Sequence, residues 1–560
     1  MTQSDRIFKQ IDHDTRWMIG QLSGSVAPSA YWLAGLDWAM HLASAPGRQA
    51  QLAGTAMSEA LRLATGRGCT GADARAASDH RFQDAAWSKP PFRCIREGFW
   101  SVEDWWHMAT HDVRGLSPRH AATVDFTARQ WLDMLCPANI PWLNPALMRR
   151  TMETGGANLV QGAMNLADDL RPGSDIPDDP ALQVGKGLAT TPGQVVARTH
   201  LAELIQYTPT TEKTHPQPIL IVPAWIMKYY ILDLSAHNSM VKWLVDQGFT
   251  VFMLSWRNPT REDHDLSMAD YVAQGPMAAL DQITRITGAQ KVHLAGYCLG
   301  GTLATIAAAD MARRGDDRLA SLSLFAAQVD FSEAGEVTQF ISEAQVSLLE
   351  DVMAERGYLD SSQMSGAFTT LRARDLLWSR IVHEYLMGEP RHSNDLMVWN
   401  DDGTRMPARM HSEYLRQLFL ENRLSNGKYE LAGRRIALSD LRLPICAVGT
   451  ETDHVAPWKS VFKIQRLTET QTTFILTSGG HNAGIVSEPG HPHRHFRIAT
   501  TARDAPYQDA DDWMAANSAQ DGSWWPAWAD WLAARSDAPA PAPAMGDALC
   551  PAPGTYVMQR

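Results

Sequence analysis

The stretch that most constrains this chain is Gly296-Tyr297-Cys298-Leu299-Gly300-Gly301. It follows the apolar run KVHLA (291–295) and precedes TLATIAAADMARR (302–314). A strand, a tight turn and a helix in that order make a nucleophile elbow, here with Cys298 where a serine more often stands. Such a turn holds its central residue in strained dihedrals, so the residues two positions away must be small. Gly296 and Gly300 meet that need. The elbow would put Cys298 at a helix N-terminus, where the dipole and open N–H groups favour an anionic sulfur. A buried cysteine beside a glycine-rich packing contact is the plainer reading, and the strand–turn–helix setting argues against it.

The surrounding chain suits that turn. Residues 186–535 alternate short β-rich apolar runs with longer amphipathic ones. Strands are expected at 194–205, 219–223, 250–255, 292–295, 322–326, 445–449 and 473–477. Strands alternating with helices predict a mostly parallel sheet, here an α/β-hydrolase fold. The interval 328–435 carries no clear strand pattern and reads as a helical cap inserted between two core strands, because long insertions in compact domains are usually functional or disordered. Its aromatics, among them Phe340, Phe368, Trp378 and Trp399, argue against disorder. Residues 1–185 read as a mainly helical N-terminal domain. Apolar spacing at Leu132, Leu135 and 158–169 supports helices, and Pro137, Pro141 and Pro145 divide them. The Pro/Ala-rich tail, 536–560, is expected to be extended or disordered.

Composition narrows the function. Lys and Arg total 50 against 62 Asp and Glu, a net charge of −12, so nucleic acid and anionic membranes are poor partners. Six cysteines without a CxxC pair suggest a reducing compartment and no structural zinc. The charged N-terminus lacks a signal-peptide pattern, and the uncharged run 292–309 is broken by three glycines, so no membrane span is expected there. The expectation is a cytoplasmic protein. Twenty tryptophans suggest extensive apolar packing or aromatic-lined sites.

A nucleophile on an elbow needs an acid and then a base further along the chain. Asp453 follows the 445–449 strand in TETDHVAPW, and His481 follows the 473–477 strand in SGGH. Both fall past the C-terminal end of a strand, where α/β sheets place their sites. His454 is the rival base, but adjacent residues rarely converge on one point. The oxyanion hole is expected from the backbone N–H of Leu299 and one in the loop 224–226, best Trp225. Three other signals are weak. Gly66-Arg67-Gly68-Cys69-Thr70-Gly71 spells GxGxxG but follows a helical run. His491, His493 and His495 alternate with Pro492 and Arg494, as an exposed loop would, so no metal is expected. Trp524, Trp525, Trp528 and Trp531 have the spacing of a helical packing face.

With these motifs in view, the chain resembles the polyhydroxyalkanoate synthases, most closely class I. The resemblance runs from about residue 82 to near the C-terminus. It includes Gly155-Gly156-Ala157-Asn158-Leu159, Lys228-Tyr229-Tyr230-Ile231-Leu232-Asp233-Leu234, Ser255-Trp256-Arg257-Asn258-Pro259 and the elbow. Further on come Trp399-Asn400, Asp453-His454, Gly480-His481, Gly522-Ser523-Trp524-Trp525-Pro526 and Pro553-Gly554-Thr555-Tyr556-Val557. The family's catalytic Cys, Asp and His fall on Cys298, Asp453 and His481. Ala224, Met227, Asn482 and Ser487-Glu488-Pro489 depart from the usual family pattern near the mouth of the site.

The resemblance implies polymerisation of (R)-3-hydroxyacyl-CoA, with short acyl chains such as 3-hydroxybutyryl expected. CoA would be released through a covalent Cys298 thioester. No cofactor is expected, since CoA is part of the substrate and a product. The implied partners are the growing polyester or its cytoplasmic granule and a second copy of the chain. A thioesterase or intracellular depolymerase on the same triad, and a non-catalytic granule-binding or partner subunit, are the alternatives.

Overall fold

The computed structural model describes residues 3–65, 72–171, 179–391 and 393–560. The GxGxxG at 66–71 lies outside the described residues. Two compact units divide the chain: residues 1–20, 177–365 and 393–560 form one, and residues 21–176 and 366–392 the other.

The larger unit is built on one sheet of eleven strands. In chain order these are β1 (Gly193–Arg198), β2 (Ala202–Tyr207), β3 (Ile219–Val222), β4 (Val251–Trp256), β5 (Val292–Tyr297), β6 (Leu319–Phe325), β7 (Ile445–Thr450), β8 (Thr472–Thr477), β9 (His495–Thr501), β10 (Gln520–Asp521) and β11 (Cys550–Pro551). Their order across the sheet is β10-β9-β8-β7-β6-β5-β3-β4-β2-β1-β11. The six central strands, β8 to β4, run parallel. Sequences such as ILIV, VFMLSW and TTFILT are buried at every position, as parallel strands covered on both faces must be. The flanking strands are antiparallel. This is the α/β-hydrolase architecture expected from the elbow.

Three differences from the sequence reading have local causes. The run 194–205 is a hairpin rather than one strand. Thr199 turns the chain, its N–H donating to the Ala202 carbonyl (2.8 Å) and its hydroxyl accepting from the Ala202 N–H (3.0 Å). Strand β9 begins within the histidine run read as a loop. Its apolar alternation is weak, with Phe496 buried and most of its other residues half-buried. Between 328 and 435 the strands are two-residue pairs, Tyr358–Leu359 with Met406–Pro407 and Glu430–Leu431 with Arg434–Arg435. These are too short to leave a pattern.

The tail is extended but not free. Ala540–Pro541 pairs with Lys213–Thr214, and β11 pairs with β1. Glu203 is fully buried, and its carboxylate accepts from the Thr555 N–H, the Thr555 hydroxyl and the Tyr556 N–H. Buried Lys228 donates to the Gln559 carbonyl at 2.7 Å. Glu203 also pairs with Arg198, but its remaining acceptor sites and the Lys228 ammonium find buried hydrogen-bond partners in the tail, which is why a Pro/Ala-rich composition does not leave it disordered.

In the smaller unit, helices account for the regular structure of the described residues. They include Pro28–Ala43, Pro46–Thr65, Phe92–Thr110, Pro118–Met134, Pro145–Glu153 and Ala157–Asp169. Pro145 starts a helix rather than ending one, and Asn144 caps it by accepting from Ala146 N and Leu147 N. The core gathers Phe82, Trp87, Phe99, Trp100 and Cys136. Residues 366–391 pack here: Asn158 donates to the Leu386 carbonyl (2.8 Å), and Gly162 lies against the Tyr385 carbonyl. Among the described residues no helix is long and apolar enough to cross a membrane.

Candidate active site

Strand β5 ends at Tyr297, and the helix Leu299–Arg314 begins two residues later. Cys298 lies between them with φ 52° and ψ −126°, a left-handed conformation that costs a non-glycine residue about 1–3 kcal/mol. Surrounding bonds hold it there. The Cys298 N–H donates to the Phe325 carbonyl (2.8 Å), and the Cys298 carbonyl accepts from Gly301 N (2.9 Å) and Thr302 N (3.3 Å). The elbow glycines are needed for space. A methyl at Gly296 would strike Gly300 and Gly301 backbone, and one at Gly300 would strike the carbonyls of Val222 and Pro223. Gly300→Ala is expected to cost at least the roughly 1–3 kcal/mol of an overpacked core. Denaturant unfolding checks this, and a wild-type midpoint would show that the contact relaxes freely.

Asp453 stands in the turn after β7 and His481 in the loop after β8. The structure brings them together: His481 Nδ1 and Asp453 Oδ2 are 2.8 Å apart, and both residues are buried. Asp453 Oδ1 accepts from the N–H groups of Val455 and Ala456, each at 2.8 Å, and Oδ2 also accepts from the Thr450 hydroxyl at 3.1 Å. Burial works against charge on Asp453, but His481 and these two N–H groups outweigh it and hold the carboxyl below its usual pKa. Burial likewise opposes charge on His481. The Asp453 carboxylate and the Cys298 sulfur outweigh it and raise the imidazole well above 6.5. Cys298, Asp453 and His481 therefore form one cluster. The bond to Asp453 comes from His481, and the His454 backbone carbonyl accepts from Glu336 N (2.9 Å).

The loop carrying His481 is pinned from behind by the tryptophan cluster. The helix Trp525–Ala533 and its N-cap Trp524 bury all four rings. Trp524 Nε1 donates to the Gly484 carbonyl (3.1 Å) and Trp525 Nε1 to the Ile485 carbonyl (2.9 Å). Trp528 and Trp531 reach Ser323 and Thr473 in β6 and β8. The cluster is thus a packing face, as its spacing indicates. Asn482 accepts from the Tyr297 hydroxyl at 2.5 Å, which ties the loop to the elbow strand. Of the three clustered histidines, His495 pairs with Glu451 (3.1 Å), and His491 contacts the carbonyl of Pro492.

Trp225 lies in the loop after β3, against which Gly300 packs, so the loop and the elbow meet. Leu299 opens the helix, where the first N–H groups lack intrahelical acceptors. The loop is clamped from the inserted segment: Thr404 donates its hydroxyl to the Trp225 carbonyl and its N–H to the Ile226 carbonyl (2.9 Å), and Met227 bridges Gly403. One residue escaped the sequence reading. Tyr414 is buried with its ring 5.5 Å from Trp225, edge to face, and 5.3 Å from Phe419. Burial raises its hydroxyl pKa, and the nearby Cys298 raises it further. No local pattern marks Tyr414, because only the return of the insertion brings it to the elbow.

The sheet order and the elbow define an α/β-hydrolase-fold protein, and the family model described as alpha/beta hydrolase fold matches residues 217–488. Two further models match, "Poly-beta-hydroxybutyrate polymerase (PhaC) N-terminus" over 78–244 and "Poly-beta-hydroxybutyrate polymerase N terminal" over 6–48. The chain belongs to the poly(3-hydroxyalkanoate) polymerase family, as its motifs implied. It is 39% identical over 494 residues to the poly(3-hydroxyalkanoate) polymerase of Methylorubrum extorquens, covering 86% of this chain and 81% of that one. It is 39% identical over 492 residues to the polymerase subunit PhaC of Rhizobium meliloti (86% and 80%) and 34% identical to that of Cupriavidus necator (86% and 83%).

Proposed function

We propose that this protein polymerises (R)-3-hydroxyacyl-CoA into polyester with release of CoA, and that Cys298 carries the growing acyl group. The supporting observation is a cysteine elbow beside a buried His481–Asp453 pair in a chain of this family. His481 takes the thiol proton as Cys298 attacks the thioester carbonyl. The carbon–sulfur bond to CoA then breaks, and CoA leaves with that proton. The N–H groups of Leu299 and Trp225 stabilise the oxyanion. The hydroxyl of a second CoA-bound acyl unit next attacks the Cys298 thioester carbonyl while His481 accepts its proton; the carbon–sulfur bond to Cys298 breaks, the proton returns to its sulfur, and Cys298 takes the lengthened chain back from CoA by the same exchange. Thioester exchange is nearly balanced, and ester formation pulls the cycle forward.

Asp453 acts by orienting His481. Both of its oxygens are already committed, Oδ1 to two backbone N–H groups and Oδ2 to His481 and Thr450, which leaves no oxygen turned toward a substrate hydroxyl. The buried rings of Trp225 and Tyr414 beside the elbow suit a short acyl chain and exclude water, which would otherwise end the polymer. Given 3-hydroxybutyryl-CoA, the full chain is expected to release CoA and form insoluble polyester. Free hydroxy acid as the product would instead make it a hydrolase.

A further inference from the structure

The larger unit carries a surface pocket of about 620 Å³ that the mechanism does not use. Arg261, Arg356 and Arg405 line it, with Tyr358 and the carboxylates Glu355 and Asp360. Three guanidinium groups against two carboxylates give a local excess of positive charge on a chain whose net charge is −12. The Arg405 guanidinium lies 5.0 Å from the centre of the Tyr358 ring and 3.9 Å from Asp360, which hold it in place at the pocket wall. Guanidinium groups grip phosphates through paired N–H donors, and their faces stack on bases.

The pocket's position connects it to the elbow. Arg261 lies beyond the C-terminal end of β4, next in the sheet to β3, whose following loop carries Trp225. Ligands of open α/β sheets bind outside those strand ends. Arg405 directly follows Thr404, which clamps the carbonyls of Trp225 and Ile226. The Arg405 N–H donates to the Asn258 side chain (2.9 Å), on the loop that leads to Arg261. One hydrogen-bonded segment therefore forms both the pocket wall and the brace of the Trp225 loop.

We infer that this pocket binds the phosphorylated nucleotide end of the CoA thioester, a 3′-phosphoadenosine carrying a 5′-diphosphate. The inference rests on the polymerase reading for its substrate. Arg261→Ala and Arg356→Ala alter exposed side chains, and Arg435→Ala, an exposed arginine on the Glu430–Arg435 hairpin that does not line the pocket, serves as control. Each test variant is expected to raise KM for 3-hydroxybutyryl-CoA about tenfold, the effect of one lost charge-assisted contact, with kcat within about twofold. KM for the N-acetylcysteamine thioester, which lacks the nucleotide, should stay within about twofold of wild type. An unchanged KM for the CoA thioester overturns the inference, as does an equal rise for both thioesters.

Calorimetry with adenosine 3′,5′-bisphosphate tests the pocket apart from turnover. Wild type and the control should bind it, and each test variant about tenfold more weakly, with affinity falling as salt rises. If the wild-type chain turns over neither thioester, the polymerase reading fails and this titration alone decides the pocket. Absence of nucleotide binding by wild type overturns the subsite. So does inorganic pyrophosphate binding as tightly as the nucleotide, which would mark a general anion site.

Discussion

Cys298→Ala is expected to abolish CoA release from 3-hydroxybutyryl-CoA, a loss on the order of 10⁴- to 10⁶-fold, because the only acyl acceptor on the elbow is gone. Alanine keeps a Cβ at φ 52°, and the bonds to Phe325, Gly301 and Thr302 are backbone bonds, so the turn survives the change. Circular dichroism and the unfolding midpoint should therefore match wild type. Cys298→Ser gives a sharper outcome. Serine presents an oxygen to the same His481, so slow acylation is expected, with CoA release of about one equivalent and no polymer. The acyl group would then rest in an oxoester, where a further hydroxyl gains little by attacking it. Undiminished turnover by Cys298→Ala would remove Cys298 from the mechanism.

How far the site could be read in the sequence depended on how local each cause is. The elbow is a local object. Small residues two positions from Cys298, an apolar strand before and a helix after leave a mark within one short window, and the structure realises it with Gly296 and Gly300 packed against backbone. Asp453 and His481 are far from Cys298 in sequence. Chain order and their places after β7 and β8 still identified them, and the 2.8 Å bond joins them. Tyr414 left no mark, since its place beside Trp225 depends on how the whole insertion folds back. The tail misled for a related reason. Its composition describes a flexible peptide, while its order comes from Glu203 and Lys228, buried groups hundreds of residues away that need its N–H and carbonyl partners. Strand β9 was hidden by an alternation too weak to stand out beside three histidines.

Asp453→Asn is expected to lower steady-state CoA release by about 10²- to 10⁴-fold, the range for a disabled acid–base group. Its diagnostic value lies in the first turnover. If Asp453 orients His481, acylation of Cys298 also needs it, and the pre-steady-state burst of CoA slows together with elongation. A burst at wild-type speed followed by stalled elongation would instead assign Asp453 to the substrate hydroxyl and overturn the orienting role. The pH dependence has a definite sign. Burial lowers the proton affinity of His481, and Asp453 and Cys298 raise it by more. Replacing the carboxylate removes the largest upward influence, so the acidic limb of kcat/KM, where His481 loses its proton, moves to lower pH in the variant. Stability follows the same linkage. Below pH about 6.5 the histidine is protonated in folded and unfolded chains alike, and its pairing contributes fully. That contribution fades as pH rises through the raised folded pKa of His481. The contribution of Asp453, whose folded pKa is depressed, is present above pH about 3.9 and fades as pH falls through that depressed value. The stability gap between wild type and Asp453→Asn should therefore be widest between about pH 4 and 6.5 and narrow toward both extremes, as denaturant unfolding across pH would measure. A gap that does not change with pH would mean that the pair is not ionised in the folded protein.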